Sequence, residues 1–214
     1  MLLFLGSLLG FCLLDSLITA LRYDGVYYAV HALHNTAIVY LTAPDVYHTL
    51  TDFQNIGSYG LNYAAMELVF ALHIYHCVYY FKKLRFDDWL HHGLMIGIAL
   101  PIGGLVPAGT LMGYSLFFTT GLPGGIDYAL LFMTRNNYLG RDTEKRMNVF
   151  LNTWIRSPGC ISLATFIVAY LNRIEFSMVV FFSAILTAGL NYWNGQYFMA
   201  QILYDAGRRD LYLA

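Results

Sequence analysis

Histidine is the residue type in this chain that is best suited to chemistry, and most of its seven copies occur as close pairs. The pairs are His31 with His34, His73 with His76, and the adjacent His91 and His92. An imidazole can serve as a general base, a nucleophile or a metal ligand near neutral pH. Residues three apart share a helix face, so each of the first two pairs can point at one site. Adjacent helical residues diverge by about 100°, so we expect only one of His91 and His92 to aim at a pocket.

Other polar residues lie inside apolar segments, where an ionisable group costs about 2.5 to 3.5 kcal/mol by insertion scales. Asp127 ends the stretch GLPGGID, whose proline and glycines interrupt a helix and free backbone N–H groups. We expect those groups or a histidine to hold its carboxylate. Glu67, Asn191 and Asn194 are the remaining candidates.

Together these residues predict a polar pocket within the membrane. We assign His91, His92 and Asp127 to catalysis, and His31, His34, Glu67, His73, His76, Asn191 and Asn194 to binding of a lipid. The alternative is that each polar side chain hydrogen-bonds a neighbouring helix and has no further role.

The composition indicates which kind of secondary structure holds these residues in place. Of 214 residues, 58% are hydrophobic and 12% are charged, about half the charge of a soluble domain. An all-α, polytopic transmembrane bundle forming a single domain over 1–214 is therefore predicted. A helix that crosses the membrane needs roughly 20 residues. The candidate spans are 2–21, 26–43, 60–81, 90–107, 109–134, 158–172 and 174–200. The first is predicted to be a retained helix, because no basic region precedes it.

Basic residues test the seven-span arrangement, because they accumulate in cytoplasmic loops. Ten fall on one side: Arg22, Lys82, Lys83, Arg85, Arg135, Arg141, Lys145, Arg146, Arg208 and Arg209. Arg173 falls on the other side, and Arg156 stands near the start of the sixth span. This bias predicts an N-terminus outside and a C-terminus inside.

The segment 143–157 is amphipathic: Met147, Phe150 and Trp154 share a stripe opposite Lys145 and Asn148. We expect a helix that lies in the membrane interface and ends at Pro158, which would begin the next span.

Three stretches resemble the TLC family, which includes the ceramide synthases. YAVHALHNTAIVY (28–40) resembles the family's first histidine-bearing helix, with His31 at the matching place. YAAME (63–67) is similar to its YFLYD element, with Glu67 in place of aspartate, and DWLHHGLM (88–95) is similar to its double-histidine motif. The resemblance spans roughly residues 23–204.

That resemblance implies a helical bundle around a lipid-accessible cavity. In the synthase members it implies transfer of an acyl chain from acyl-CoA to a sphingoid amine, with His91 and His92 as the catalytic pair. The synthases also carry a later HDxxD-like stretch, whereas Asp127 here has no histidine before it and no second aspartate after it. The chain is thus identified as a non-synthase-like member, with a role in lipid homeostasis or lipid acyl transfer.

Two other functions remain open. One is an accessory subunit of a large membrane complex, for example a respiratory one; the other is a histidine-ligated, metal-dependent lipid oxidase. Because the chain lacks further HxxHH triplets, no metal site is predicted. Acyl-CoA is expected as co-substrate if the protein is an enzyme, and a phospholipid as a bound ligand. Nucleic acid is excluded as a partner by the near-zero net charge. The expected location is the endoplasmic reticulum or the mitochondrial inner membrane.

Overall fold

The computed structural model describes residues 2–208, apart from the side chain of Asp87, and its regular structure is entirely helical. Seven continuous helices follow one another. They are α1 (Leu2–Ala20), α2 (Val26–Thr51), α3 (Tyr63–Tyr79), α4 (86–103), α5 (Gly109–Arg135), α6 (Arg141–Leu171) and α7 (Met178–Gly207), with a short 3₁₀ helix, Phe53–Ser58, between α2 and α3.

Helices α4, α5 and α6 each contain one π-helical turn, and each turn ends two residues before a proline. The turns are Met95–Ala99, Phe117–Gly121 and Asn152–Arg156, and the prolines are Pro101, Pro123 and Pro158. A proline inside an α-helix clashes with the carbonyl four residues earlier. The wider turn absorbs this conflict, since the residue before each proline bonds to a carbonyl five residues back. These helices therefore bend without ending.

The π-helical turns show that two predictions about proline-containing segments were wrong. The stretch GLPGGID does not break its helix, and Pro158 does not start a new one, because Arg141–Leu171 runs through it continuously. The prediction of a separate interfacial helix over 143–157 was therefore wrong. Helix α2 also passes Pro44 and ends at Thr51, eight residues beyond the predicted end of its span.

Contacts between loops show that the helices alternate in direction. At one end, the loop between α1 and α2 meets the loop between α5 and α6, where the Asp24 N–H donates to Asn136 Oδ1 at 3.1 Å. At the same end, Lys145 near the start of α6 forms an ion pair of 3.3 Å with Asp205 near the end of α7. At the opposite end, the Tyr170 hydroxyl donates to the Pro107 carbonyl at 3.0 Å.

The first of these ends carries the basic loops, as the sequence predicted, and we call it the basic end. Arg209 lies outside the described residues. Three helices, Leu2–Ala20, Gly109–Arg135 and Arg141–Leu171, are long and apolar enough to cross a membrane. Crossing by all seven, and the identity of the basic end as the cytoplasmic side, remain predictions.

The bundle is apolar outside and polar inside along α6. The side chains of Met147, Phe150 and Trp154 are exposed, whereas the helix face that carries Glu144 and Asn148 is buried. A soluble helix shows the reverse, so this distribution supports a lipid environment around α6. The amphipathic stripe was read correctly from the sequence, but its polar side faces the protein.

Candidate functional site

Six histidines converge at the basic end of the bundle, and three helices carry them. His31 and His34 lie in the first turns of α2, His73 and His76 in the last turns of α3, and His91 and His92 in α4. Because α2, α3 and α4 alternate in direction, the start of α2, the end of α3 and the start of α4 meet. The predicted meeting of the three pairs is present, and we call these six residues the histidine cluster.

Ring distances show how tightly the cluster is built. The rings of His31 and His76 are stacked at 4.3 Å, with 14° between their planes. His73 lies 5.5 Å from His91 and 5.1 Å from His92, measured between ring centroids. His92 is also 5.4 Å from His76, which joins the two groups. Both residues of the adjacent pair thus contact His73, but only His92 is buried, whereas His91 is exposed.

Backbone carbonyls determine the tautomers of two cluster members. Nδ1 of His31 lies 2.7 Å from the Tyr27 carbonyl, and Nδ1 of His73 lies 2.8 Å from the Val69 carbonyl. A carbonyl oxygen only accepts hydrogen bonds, so each Nδ1 carries the proton. In the neutral ring, Nε2 then presents an unprotonated lone pair on the side away from the helix backbone. In the neutral form, Nε2 of each ring can therefore accept a proton or bind a metal ion, but it has no proton to donate.

Among the described residues, two nitrogens of the cluster are buried without a hydrogen-bond partner: His76 Nε2 and His92 Nδ1. Five of the six side chains are buried, and His91 is the exposed one. Unpaired polar atoms at buried positions are costly and call for a ligand, an ion or water. The cluster is consequently a site with unused binding capacity.

Two tyrosines cover the cluster on the side of the basic loops. The Tyr27 ring lies 4.0 Å from His31 and 4.8 Å from His76, and the Tyr128 ring lies 4.3 Å from His31. Tyr27 also forms part of a pocket of about 620 Å³. The remaining wall residues of the pocket are Asp24, Gly25, Tyr28, Tyr80, Lys83, Leu84, Arg85, Asp88 and Arg135. Tyr27 thus lies between the pocket at the basic end and the cluster, and no histidine of the cluster lines the pocket.

A ladder of polar side chains on α6 forms a second buried feature. Asn152 donates to Asn148 Oδ1 at 2.5 Å, and Arg156 Nη1 donates to Asn152 Oδ1 at 2.9 Å. Arg156 interacts electrostatically with Asp127 and with His91. The buried Oδ1 of Asp127 has no hydrogen-bond partner among the described residues, so the expected bond from a freed N–H group or a histidine is not seen at that oxygen.

Glycine at position 124 lets the ladder approach the cluster. A Cβ there would lie 2.8 Å from Asn35 Nδ2 and 3.8 Å from Arg156 Nη2. Asn35 Oδ1 in turn lies 2.8 Å from His34 Nδ1. Asn35 thereby stands between Arg156 and the cluster, and Gly124 provides the space for it.

Two residues assigned to lipid binding, Glu67 and Asn191, have contacts away from the cluster. Glu67 accepts a hydrogen bond of 2.9 Å from the Phe4 N–H on α1. Asn191 accepts one of 2.7 Å from Ser115, which ties α7 to α5, and Asn194 has a buried Oδ1 without a partner. These contacts give Glu67 and Asn191 a structural explanation as links between helices.

Four important residues were missed by sequence reasoning: Tyr27, Asn35, Tyr128 and Arg156. Tyrosine is abundant in this chain, so two more copies gave no signal. Asn35 and Arg156 did carry a signal in the sequence. Each lies within four positions of another polar residue, which is either a predicted site residue or part of the polar face of the amphipathic segment 143–157. Arg156 was noted only as a basic residue near a span.

Comparisons with family models, with curated proteins and with solved structures find no match to this chain.

Proposed function

We propose that this protein is a membrane-embedded enzyme that modifies a lipid at the histidine cluster. The observation that carries the proposal is the convergence of six imidazoles beside Tyr27, which also lines a pocket with basic residues in its wall. Histidine is costly to bury in an apolar bundle, and a purely structural role would be met by isolated hydrogen bonds between helices. Perturbed, clustered ionisable groups beside a pocket are typical of catalytic sites.

The pocket suits a lipid or thioester with a phosphate-bearing head. Lys83, Arg85 and Arg135 supply three cations at its rim, and the Tyr27 and Tyr28 hydroxyls add hydrogen-bond donors. Asp24 and Asp88 partly offset this charge. The head would bind at the rim while the reactive group reaches past Tyr27 to the cluster.

Acyl transfer from acyl-CoA to a long-chain amine, which the TLC resemblance implies, is compatible with these side chains. A neutral imidazole accepts the proton of the attacking amine as the new amide bond forms, and it returns that proton to the departing thiolate. His91 and His92 are the proposed base and its partner, since His91 is the exposed member of the cluster. Asp127 and Arg156 have a supporting role through their charges.

The test compares cellular lipids after expression of the wild-type chain and of His91→Ala, His92→Ala and His48→Ala. His48 is the matched control, because it is the seventh histidine and stacks on Tyr59 at 4.3 Å outside the cluster. We expect at least a tenfold loss of the lipid product in the two cluster variants, as for removal of a general base, and none in the control.

Purified protein with acyl-CoA and long-chain amines then tests the acyl-transfer form directly. Lipid profiles that are identical for wild type and for both cluster variants would overturn the proposal. Such a result, with migration of the native protein as a large assembly, would favour the accessory-subunit function.

A further inference from the structure

Part of the histidine cluster has the arrangement of a metal site. One nitrogen from each of His73, His91 and His92 lies within 4.8 Å of the other two. His73 comes from α3 and the other two from α4, so the three rings are held by two packed helices. In a three-histidine zinc site with metal–nitrogen distances of about 2.0 to 2.1 Å, the nitrogens are about 3.3 Å apart. Each ring therefore needs to move by less than about 1 Å to close on one ion.

The protonation pattern of the site fits a metal ligand better than a hydrogen-bonded core. The Nδ1–H of His73 donates to the Val69 carbonyl, which leaves the Nε2 lone pair directed away from α3. Ligating histidines in metalloproteins are held in the same way, with the second nitrogen donating to a carbonyl or a carboxylate. His92 adds a buried Nδ1 that has no partner in the described part of the chain. A cation would satisfy both nitrogens at once.

The neighbours of the three rings also suit a cation. His76, whose Nε2 is buried and unpaired, lies 5.4 Å from His92 between ring centroids and would be a fourth ligand or an outer neighbour. Asp88 stands one helical turn before His92 and interacts electrostatically with His91. Its carboxylate lines the pocket and offsets part of the charge of a divalent ion. The exposed His91 gives an ion a path into the site.

We propose that His73, His91 and His92 bind one divalent transition-metal ion, with at least one coordination position open towards the pocket. An all-imidazole ligand set selects zinc, iron, copper or nickel over magnesium and calcium. An open position allows the ion to polarise a lipid carbonyl or to activate a water molecule. The sequence predicted no metal site, since it lacks further HxxHH triplets. The packing of two helices, α3 and α4, nevertheless brings three histidines together. This proposal adds an ion to the proposed catalytic site and holds whether or not the substrate is a lipid.

The experiment measures metal content in purified protein. The chain is expressed with an affinity tag that contains no histidine, purified in mild detergent, and reconstituted with Zn²⁺, Fe²⁺ or Co²⁺ before removal of free metal. Elemental analysis is expected to find about one ion per chain in the wild type and in His48→Ala. His73→Ala and His92→Ala are expected to lower the content at least tenfold.

Two further measurements exclude trivial outcomes. His91→Ala changes an exposed side chain, so the fold is expected to survive; it should lose the visible absorption band of bound Co²⁺ while elution from a sizing column stays unchanged. Loss of metal in His48→Ala, retention of metal in all three cluster variants, or wild-type protein that binds none of the three ions would each overturn the metal site.

These outcomes separate the metal site from the proposed function. Metal-free protein whose lipid product still depends on His91 would leave acyl transfer standing and remove only the ion. Metal-loaded protein without any effect on lipids would do the reverse.

Discussion

At the residue scale, Asp15 shows how the chain accommodates a buried carboxylate. Asp15 is buried in α1, and the hydroxyls of Tyr75 and Tyr80 both donate to its Oδ2. Hydrogen bonds to a charged group contribute more than neutral ones, and an orphaned buried carboxylate costs its full desolvation. The Tyr75 ring also contacts His76, so this unit borders the cluster.

The variant Tyr75→Phe removes one of these donors and keeps the ring. We expect it to lower the free energy of unfolding by about 1 to 3 kcal/mol, measured by thermal unfolding in detergent. Tyr79→Phe is the matched control, because Tyr79 is 47% exposed on the same helix. Equal stability of the two variants would show that the Tyr75 hydroxyl does not support Asp15.

Individual residues also show which contacts of the site could be predicted from the sequence and which could not. The order and alternating direction of the predicted spans were sufficient to place the histidine pairs at one end of the bundle. The charge interaction of Asp127 with Arg156 was not predictable, since the two residues are 29 positions apart and only helix packing brings them near each other. The hydrogen bond from the α1 backbone to Glu67 was likewise not predictable from the sequence.

At the element scale, the π-helical turns determine how closely α5 and α6 pack. Gly159 on α6 lies against the ring of Phe118, which belongs to the turn Phe117–Gly121 of α5. A Cβ at that position would overlap the Phe118 side chain, and a fully packed interior resists such an insertion. The absence of a side chain at Gly159 is thus a requirement of the fold.

We expect Gly159→Ala to destabilise the protein by about 1 to 3 kcal/mol in the same unfolding measurement. Gly189→Ala is the control, because a Cβ at Gly189 on α7 meets nothing within 4 Å. Alanine in an open helical position is neutral or stabilises by up to about 1 kcal/mol. The packing argument fails if Gly159→Ala is as stable as the control.

Helix positions followed from the sequence, whereas helix continuity did not. Apolar runs located all seven helices, and the ends were wrong mainly at prolines. Pro158 was interpreted as a boundary because proline often starts a new helix, but a π-helical turn keeps α6 continuous there. Helix α2 continues past Pro44 beyond the predicted end of its span. The amphipathic stripe of α6 likewise required the surrounding helices before its polar face could be assigned to the interior.

At the scale of the whole molecule, loop contacts and charge agree on one basic end. The pocket lies at that end, so its side of the membrane decides where a soluble co-substrate must be. The excess of basic residues predicts the cytoplasmic side, or the matrix side in a mitochondrion.

Labelling of engineered cysteines with a membrane-impermeant maleimide tests this orientation. The positions are Lys82→Cys in the loop between α3 and α4, and Glu175→Cys in the loop between α6 and α7, each in a background without Cys12, Cys77 and Cys160. In sealed microsomes, whose outer surface is the cytoplasmic face, we expect reaction at position 82 and none at position 175 until the membrane is permeabilised. Reaction at both positions, or the reverse pattern, would contradict seven spans with the basic end inside.

The proposed functions all require that the imidazoles of α2, α3 and α4 form a single centre within the bundle. A density map of the chain in a lipid nanodisc, at a resolution that shows side chains, measures this most directly. The prediction is a His31–His76 ring separation near 4.3 Å and a His73–His92 separation near 5.1 Å, with Tyr27 covering the cluster. A map in which α4 turns His91 and His92 towards the lipid, away from His73, would contradict the centre and every role assigned to it.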